Sequence, residues 1–118
     1  MVNVLIVDDS AFMRNVLKKN IVENGAEVVG EAQDGDDAIA KYTELKPDLV
    51  FMDIMMPNKT GLEALKEIKA ADSDAKIVMC TSVGQESVIN EAVETGVLDF
   101  IMKPFKPEDI KNVLGKVQ

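Results

Sequence analysis

The sequence has no histidine and no tryptophan, and only one cysteine and one tyrosine. Without histidine, His-based zinc sites, Ser-His triads and a phosphohistidine relay on this chain are excluded. The lone Cys80 cannot close an internal disulfide, which agrees with a reducing compartment. It reads as a small buried strand residue, with nothing adjacent to make it a reactive thiol. No apolar run approaches the roughly 20 residues that span a bilayer. The Met1-Val2-Asn3 start has no basic region ahead of its apolar stretch. A signal peptide and membrane insertion are therefore not expected, and the expected location is the cytoplasm. A net charge of -8 disfavours phosphate backbones, and the scarcity of aromatics removes stacking platforms, so no nucleic acid partner is expected.

What is present is a chain of 118 residues, 47% hydrophobic with mixed charges, which fits one globular domain with a real core. Apolar runs alternate with helical patterns from end to end. Val4-Leu5-Ile6-Val7, Leu49-Val50-Phe51-Met52, Ile77-Val78-Met79-Cys80 and Phe100-Ile101-Met102 read as buried parallel strands, and Glu27 to Ala32 as a further strand. Between them lie helical faces: Met13, Leu17 and Ile21; Ala38, Ile39 and Tyr42; Leu62, Leu65 and Ile68; Val88, Ile89, Ala92 and Val93; Ile110, Val113, Leu114 and Val117. Asn24-Gly25, Lys46-Pro47 and Gly96 read as helix stops, and Asp34-Gly35 as a turn. The pattern predicts an α/β fold of five strands and five helices, with right-handed crossovers and a parallel sheet covered on both faces.

Four of the strands end in polar residues: Asp8-Asp9, Asp53, Thr81 and Lys103. The carboxyl ends of the strands share one edge of an open α/β sheet, and sites form there. Three carboxylates brought together repel, and a cation relieves them. All-oxygen donors favour Mg²⁺. Taken alone, Asp8-Asp9 is also a good helix N-cap, Lys103 a surface charge, and Thr81 or Ser82 a turn residue. Taken together they suit a phosphoryl group, with Asp53 as a carboxylate nucleophile, Lys103 as a point charge and a hydroxyl as hydrogen-bond donor. The seven methionines read as core filler.

Leu5-Ile6-Val7-Asp8-Asp9-Ser10-Ala11-Phe12-Met13-Arg14, Asp34-Gly35, Asp53-Ile54-Met55-Met56-Pro57 running to Gly61, Thr81-Ser82 and Lys103-Pro104-Phe105 occur in that order. The whole chain resembles a receiver domain of a two-component response regulator, closest to the stand-alone chemotaxis regulators of the CheY type. The resemblance implies a single receiver domain over residues 1–118 with no output domain, and a flavodoxin-like strand order 2-1-3-4-5 in a three-layer αβα sandwich. It implies that Asp53 is the phosphoacceptor, that Asp9 binds Mg²⁺ directly and Asp8 through water, and that Met55 offers the ion only its backbone carbonyl. Thr81 would hydrogen-bond the phosphoryl group and Lys103 would pair with it, across a cis Lys103-Pro104 bond. Phe100 stands at the switch position where tyrosine is frequent, so its ring has no hydroxyl to bond in the inward state.

The resemblance implies a phosphorylation-activated, monomeric signalling protein rather than an enzyme that turns over substrate. Its phosphodonor would be a chemotaxis-type histidine kinase. Its target would be a flagellar switch protein or, in archaea, a motor adaptor. A phosphorelay carrier is the alternative. A Mg²⁺-dependent aspartyl-phosphate phosphatase would need a second aspartate where Met55 stands. Met55 and Val83 flank the expected path of the hydrolytic water, and both are apolar, so loss of the phosphoryl group is expected to be slow. No Lys or Arg lies between Lys76 and Lys103. Glu86, Asn90, Glu91 and Glu94 on the fourth helix, with Phe100 and Lys106, are the expected partner-binding residues.

Overall fold

The computed structural model describes residues 1–82 and 86–117. The elements in chain order are β1 (Asn3–Val7), α1 (Ala11–Glu23), β2 (Glu27–Ala32), α2 (Gly35–Leu45), β3 (Leu49–Asp53), α3 (Gly61–Ala71), β4 (Ile77–Thr81), α4 (Glu86–Thr95), β5 (Asp99–Met102) and α5 (Pro107–Gly115). The strands form one parallel sheet in the order β2-β1-β3-β4-β5, as expected.

Every residue of β3 and β4 is buried, because both faces of the sheet are covered. Successive side chains point to opposite faces. Leu5, Val50, Met52, Ile77 and Met79 pack with Ala38 of α2, Leu65 and Ile68 of α3 and Ala92 of α4. Val4, Ile6, Phe51, Val78 and Cys80 pack with Leu17 and Ile21 of α1 and Ile110, Val113 and Leu114 of α5. These are the three layers. Cys80 is free and buried, and burial pushes its thiol far above the ordinary range, so it is held as an inert core residue.

Two local readings are refined. Asp34 is the N-cap of α2, accepting from the Asp37 N–H, and Gly35 opens the helix rather than completing a turn. Val93 is 56% exposed instead of lining the inner face of α4. Each residue advances about 100° around a helix, so the face that buries Ala92 leaves its neighbour outside. The expected stops hold: α1 ends before Gly25 at φ +84°, α2 ends in left-handed Lys46, and α4 ends before Gly96 at φ +99°.

Candidate functional site

The chain leaves β1, β3, β4 and β5 along one edge, where Asp8, Asp9, Asp53, Thr81 and Lys103 stand. Each of the carboxylates of Asp8, Asp9 and Asp53 offers an oxygen within 4.8 Å of the others. Asp8 and Asp53 are buried and Asp9 is exposed. Lys103 Nζ lies 3.1 Å from Asp8 Oδ2 and 3.1 Å from Asp53 Oδ1, bridging the two buried carboxylates. The Lys103-Pro104 bond is cis, the isomer the resemblance implied.

The local chemistry explains how the first two aspartates are freed for a site. Ser10 caps α1, its Oγ accepting from the Met13 N–H at 3.3 Å. Asp8 is thus not the cap. Its Oδ1 accepts from the Ser10 N–H at 2.9 Å, and its other oxygen faces Lys103. Arg14 fixes the same turn: Nη1 donates to the Asp8 carbonyl at 2.5 Å, and Nε to Glu31 at 3.0 Å.

The loop after Asp53 is tethered on its far side. Asn58, at φ +66°, donates to Asp34 Oδ2 at 3.0 Å, and the Gly35 N–H donates to the Lys59 carbonyl at 3.0 Å. Lys59 also pairs with Asp36 and Glu67. The Gly61 N–H donates to the Ile54 carbonyl at 2.8 Å, and a β-carbon added at Gly61 would lie 1.9 Å from the Asp53 carbonyl oxygen. Gly61 is therefore a site residue through its missing side chain. Sequence reasoning passed over this role, as it did those of Arg14 and Asn58. A glycine opening a helix beside a strand end was the available signal.

Three carboxylates against one ammonium leave an excess of negative charge at the site. Burial pushes the Asp53 carboxyl above its usual range; Lys103 pulls it back, while Asp8 and Asp9 push it further up. Burial alone would lower Lys103, but its contacts with Asp8 and Asp53 outweigh that and hold the ammonium above the ordinary lysine value. This hard, oxygen-only, over-negative donor set fits Mg²⁺.

A group whose folded pKa is raised favours folding most below its unfolded pKa, and loses that contribution as pH rises through the folded value. At neutral pH an ionised Asp53 therefore costs stability. Asp53→Asn is expected to stabilise the metal-free protein by about 1 kcal/mol, within the range of single stabilising substitutions, because the amide removes a buried charge from beside Asp8 and Asp9. The gap should shrink as pH falls to about 4, into the carboxylate range. Urea denaturation at the two pH values checks this, and a variant less stable than the parent at neutral pH would contradict it.

Thr81 ends β4, one residue beyond the Cys80 that pairs with Asp53 across the ladder. Its hydroxyl donates to Met102 Sδ at 3.0 Å. Met55, two residues after Asp53, turns its side chain outward at 62% exposure. Val83 lies outside the described residues. On the expected partner face, Glu86, Asn90, Glu94 and Lys106 are exposed and Phe100 is half-buried. Glu91 is exposed but turned toward α3, where it pairs with Lys66. A groove lined by Phe100, Met102, Pro104, Phe105, Lys106 and Asp109 runs along β5 and the start of α5.

Comparison with known proteins gives the family and the fold. The model of the response regulator receiver domain matches residues 4–115. The chain is 52% identical over 114 residues to the chemotaxis protein CheY of Thermotoga maritima, covering 97% of this chain and 95% of that one. It is 50% identical over 113 residues to the chemotaxis protein CheY of Bacillus subtilis, covering 96% and 94%. Among solved structures, it is similar to the CheX-CheY-BeF3-Mg²⁺ complex from Borrelia burgdorferi, with a TM-score of 0.92 and 31% identity over 98% of this chain and 88% of that one.

Proposed function

The chain belongs to the response regulator receiver domain family, in close relation to chemotaxis regulators, and from that premise we propose that it is a binding module controlled by phosphorylation of Asp53. The observation that carries this reading is the Lys103 ammonium bridging buried Asp53 and Asp8, with Asp9 completing a three-carboxylate cluster. An Asp53 oxygen attacks the phosphorus of a phosphohistidine on a chemotaxis-type histidine kinase. The new bond is O–P, the bond that breaks is N–P, and the leaving imidazole takes up a proton. Lys103 stabilises charge on the transferring oxygens, and Thr81 donates its hydroxyl to one of them. Asp8, Asp9, Asp53 and the Met55 carbonyl would hold Mg²⁺, which neutralises charge on the phosphoryl group.

The output is a change of partner. Drawing Thr81 toward Asp53 alters the face made by α4, β5 and α5, where Phe100 is the second switch residue. The target is a flagellar switch protein, or a motor adaptor in an archaeal host. Such a target would set basic residues against Glu86, Asn90 and Glu94. Glu91 is committed to Lys66 and contributes less. The protein acts as a monomer in the cytoplasm; no helix among the described residues is long and apolar enough to cross a membrane.

The test is incubation with acetyl phosphate, followed by intact-mass measurement. One phosphoryl adduct is expected with Mg²⁺, absent when a chelator is present from the start, and removed by hydroxylamine. An adduct that forms equally well in excess chelator would contradict the proposed role of the carboxylate cluster.

A further inference from the structure

Thr81 and Met102 are cross-strand partners in the β4–β5 ladder, so their side chains leave the sheet on the same face. The Thr81 residue is 1% exposed, and its hydroxyl donates to the Met102 thioether at 3.0 Å. That direction is toward β5, whereas Asp53 sits on β3, on the other side of β4. Among the described residues the thioether is the acceptor this hydroxyl uses. Sulfur is a weak acceptor. Met102 is 45% exposed on an unbranched side chain, so it can withdraw without disturbing the core.

We propose that Met102 is a positioning residue of the switch. Its thioether parks the Thr81 hydroxyl on β5 in the unphosphorylated protein, and its weakness as an acceptor sets how readily the hydroxyl crosses to a phosphoryl group on Asp53. This rests on reading Thr81 as the phosphoryl group's hydrogen-bond donor. The exchange runs downhill, because a hydrogen bond to a charged oxygen is about twice as strong as one between neutral groups. A stronger acceptor at position 102 would resist the crossing. An apolar side chain would leave the hydroxyl unbonded and ready to move. Phe100 lies on the same strand face two residues earlier, opposite Met79.

Beryllium fluoride with Mg²⁺ provides the probe, its tetrahedral anion standing in for the phosphoryl group, with affinity read by calorimetry on the full chain. Met102→Leu is expected to bind the probe about threefold more tightly than the parent, and Met102→Gln about threefold more weakly, the range that one modest hydrogen bond covers. In a Thr81→Ala background both substitutions should lose their effect, since the coupling runs through the hydroxyl. Shifts of the same sign, or shifts that persist without Thr81, would overturn the proposal. A parent that fails to bind the probe would bring down the receiver reading itself. A parent that binds with an affinity indifferent to position 102 overturns only the role of Met102. A second measurement needs no probe binding. With [13C]methyl-methionine labelling, the Met102 resonance, identified by its loss in Met102→Leu, is expected to move in ligand-free Thr81→Ala. An unmoved resonance would also overturn the proposal.

Discussion

Lys103→Met is expected to slow phosphorylation of Asp53 by a small phosphodonor about a hundredfold, the usual cost of removing one preorganised group from a developing charge. Among the described residues Lys103 supplies the ammonium that touches both buried carboxylates, at 3.1 Å from each. Its methylene stem is half-buried, and methionine keeps that volume while deleting the charge. Two effects then oppose each other. The transferring oxygens lose a partner, which lowers the rate. The carboxylates lose their counter-charge, which raises the cluster's demand for a cation. Mg²⁺ affinity is therefore expected to hold or tighten while the rate falls. Calorimetric metal titration beside the rate of adduct formation separates the two. A rate within threefold of the parent would show that the ammonium does not serve the transfer, whatever it does for the fold.

Gly61→Ala is expected to destabilise the protein by about 2–3 kcal/mol, the upper range for forcing extra atoms into a packed site. The added carbon would lie 1.9 Å from the Asp53 carbonyl oxygen and 2.9 Å from its carbonyl carbon. The obstacle is backbone and cannot swing aside, so β3 and α3 must part. Because the displaced atoms belong to Asp53, the proposed phosphoacceptor, the phosphorylation rate should fall as well, by roughly tenfold to a hundredfold for a shift near 1 Å. Gly115→Ala is the control: nothing lies within 4 Å of its added carbon. It should leave both the denaturation midpoint and the rate close to the parent's. A Gly61→Ala protein of parental stability would mean that the approach of α3 to the end of β3 is looser than described.

The fold and the centre of the candidate site were legible in the sequence for one physical reason. Strands buried on both faces are written as continuous apolar runs, so Asp8, Asp53, Thr81 and Lys103 stand out as polar residues at their ends. The helix stops were legible too, because Gly25, Lys46-Pro47 and Gly96 carry local backbone preferences. What escaped was set by distance or by local ambiguity. Asn58 and Asp34 are separated by 24 positions, and Lys66 and Glu91 by 25, and no local signal announces either pair. Ser10, Asp8 and Asp9 are all good N-caps, so only the folded structure reveals that Ser10 takes the role and leaves Asp9 as the exposed member of the cluster. The Thr81–Met102 contact depends on strand register, which the sequence alone does not fix.

The central claim is that the buried carboxylate at the end of β3 accepts the phosphoryl group. Borohydride reduction of the phosphorylated protein, followed by peptide mass mapping, tests it directly, since an aspartyl phosphate is reduced to homoserine. The expected result is homoserine at position 53 alone, formed only when Mg²⁺ is present during phosphorylation and absent from Asp53→Asn. Homoserine at Asp8 or Asp9, or a borohydride-resistant phosphoryl group on Ser10, Thr81 or Ser82, would contradict it.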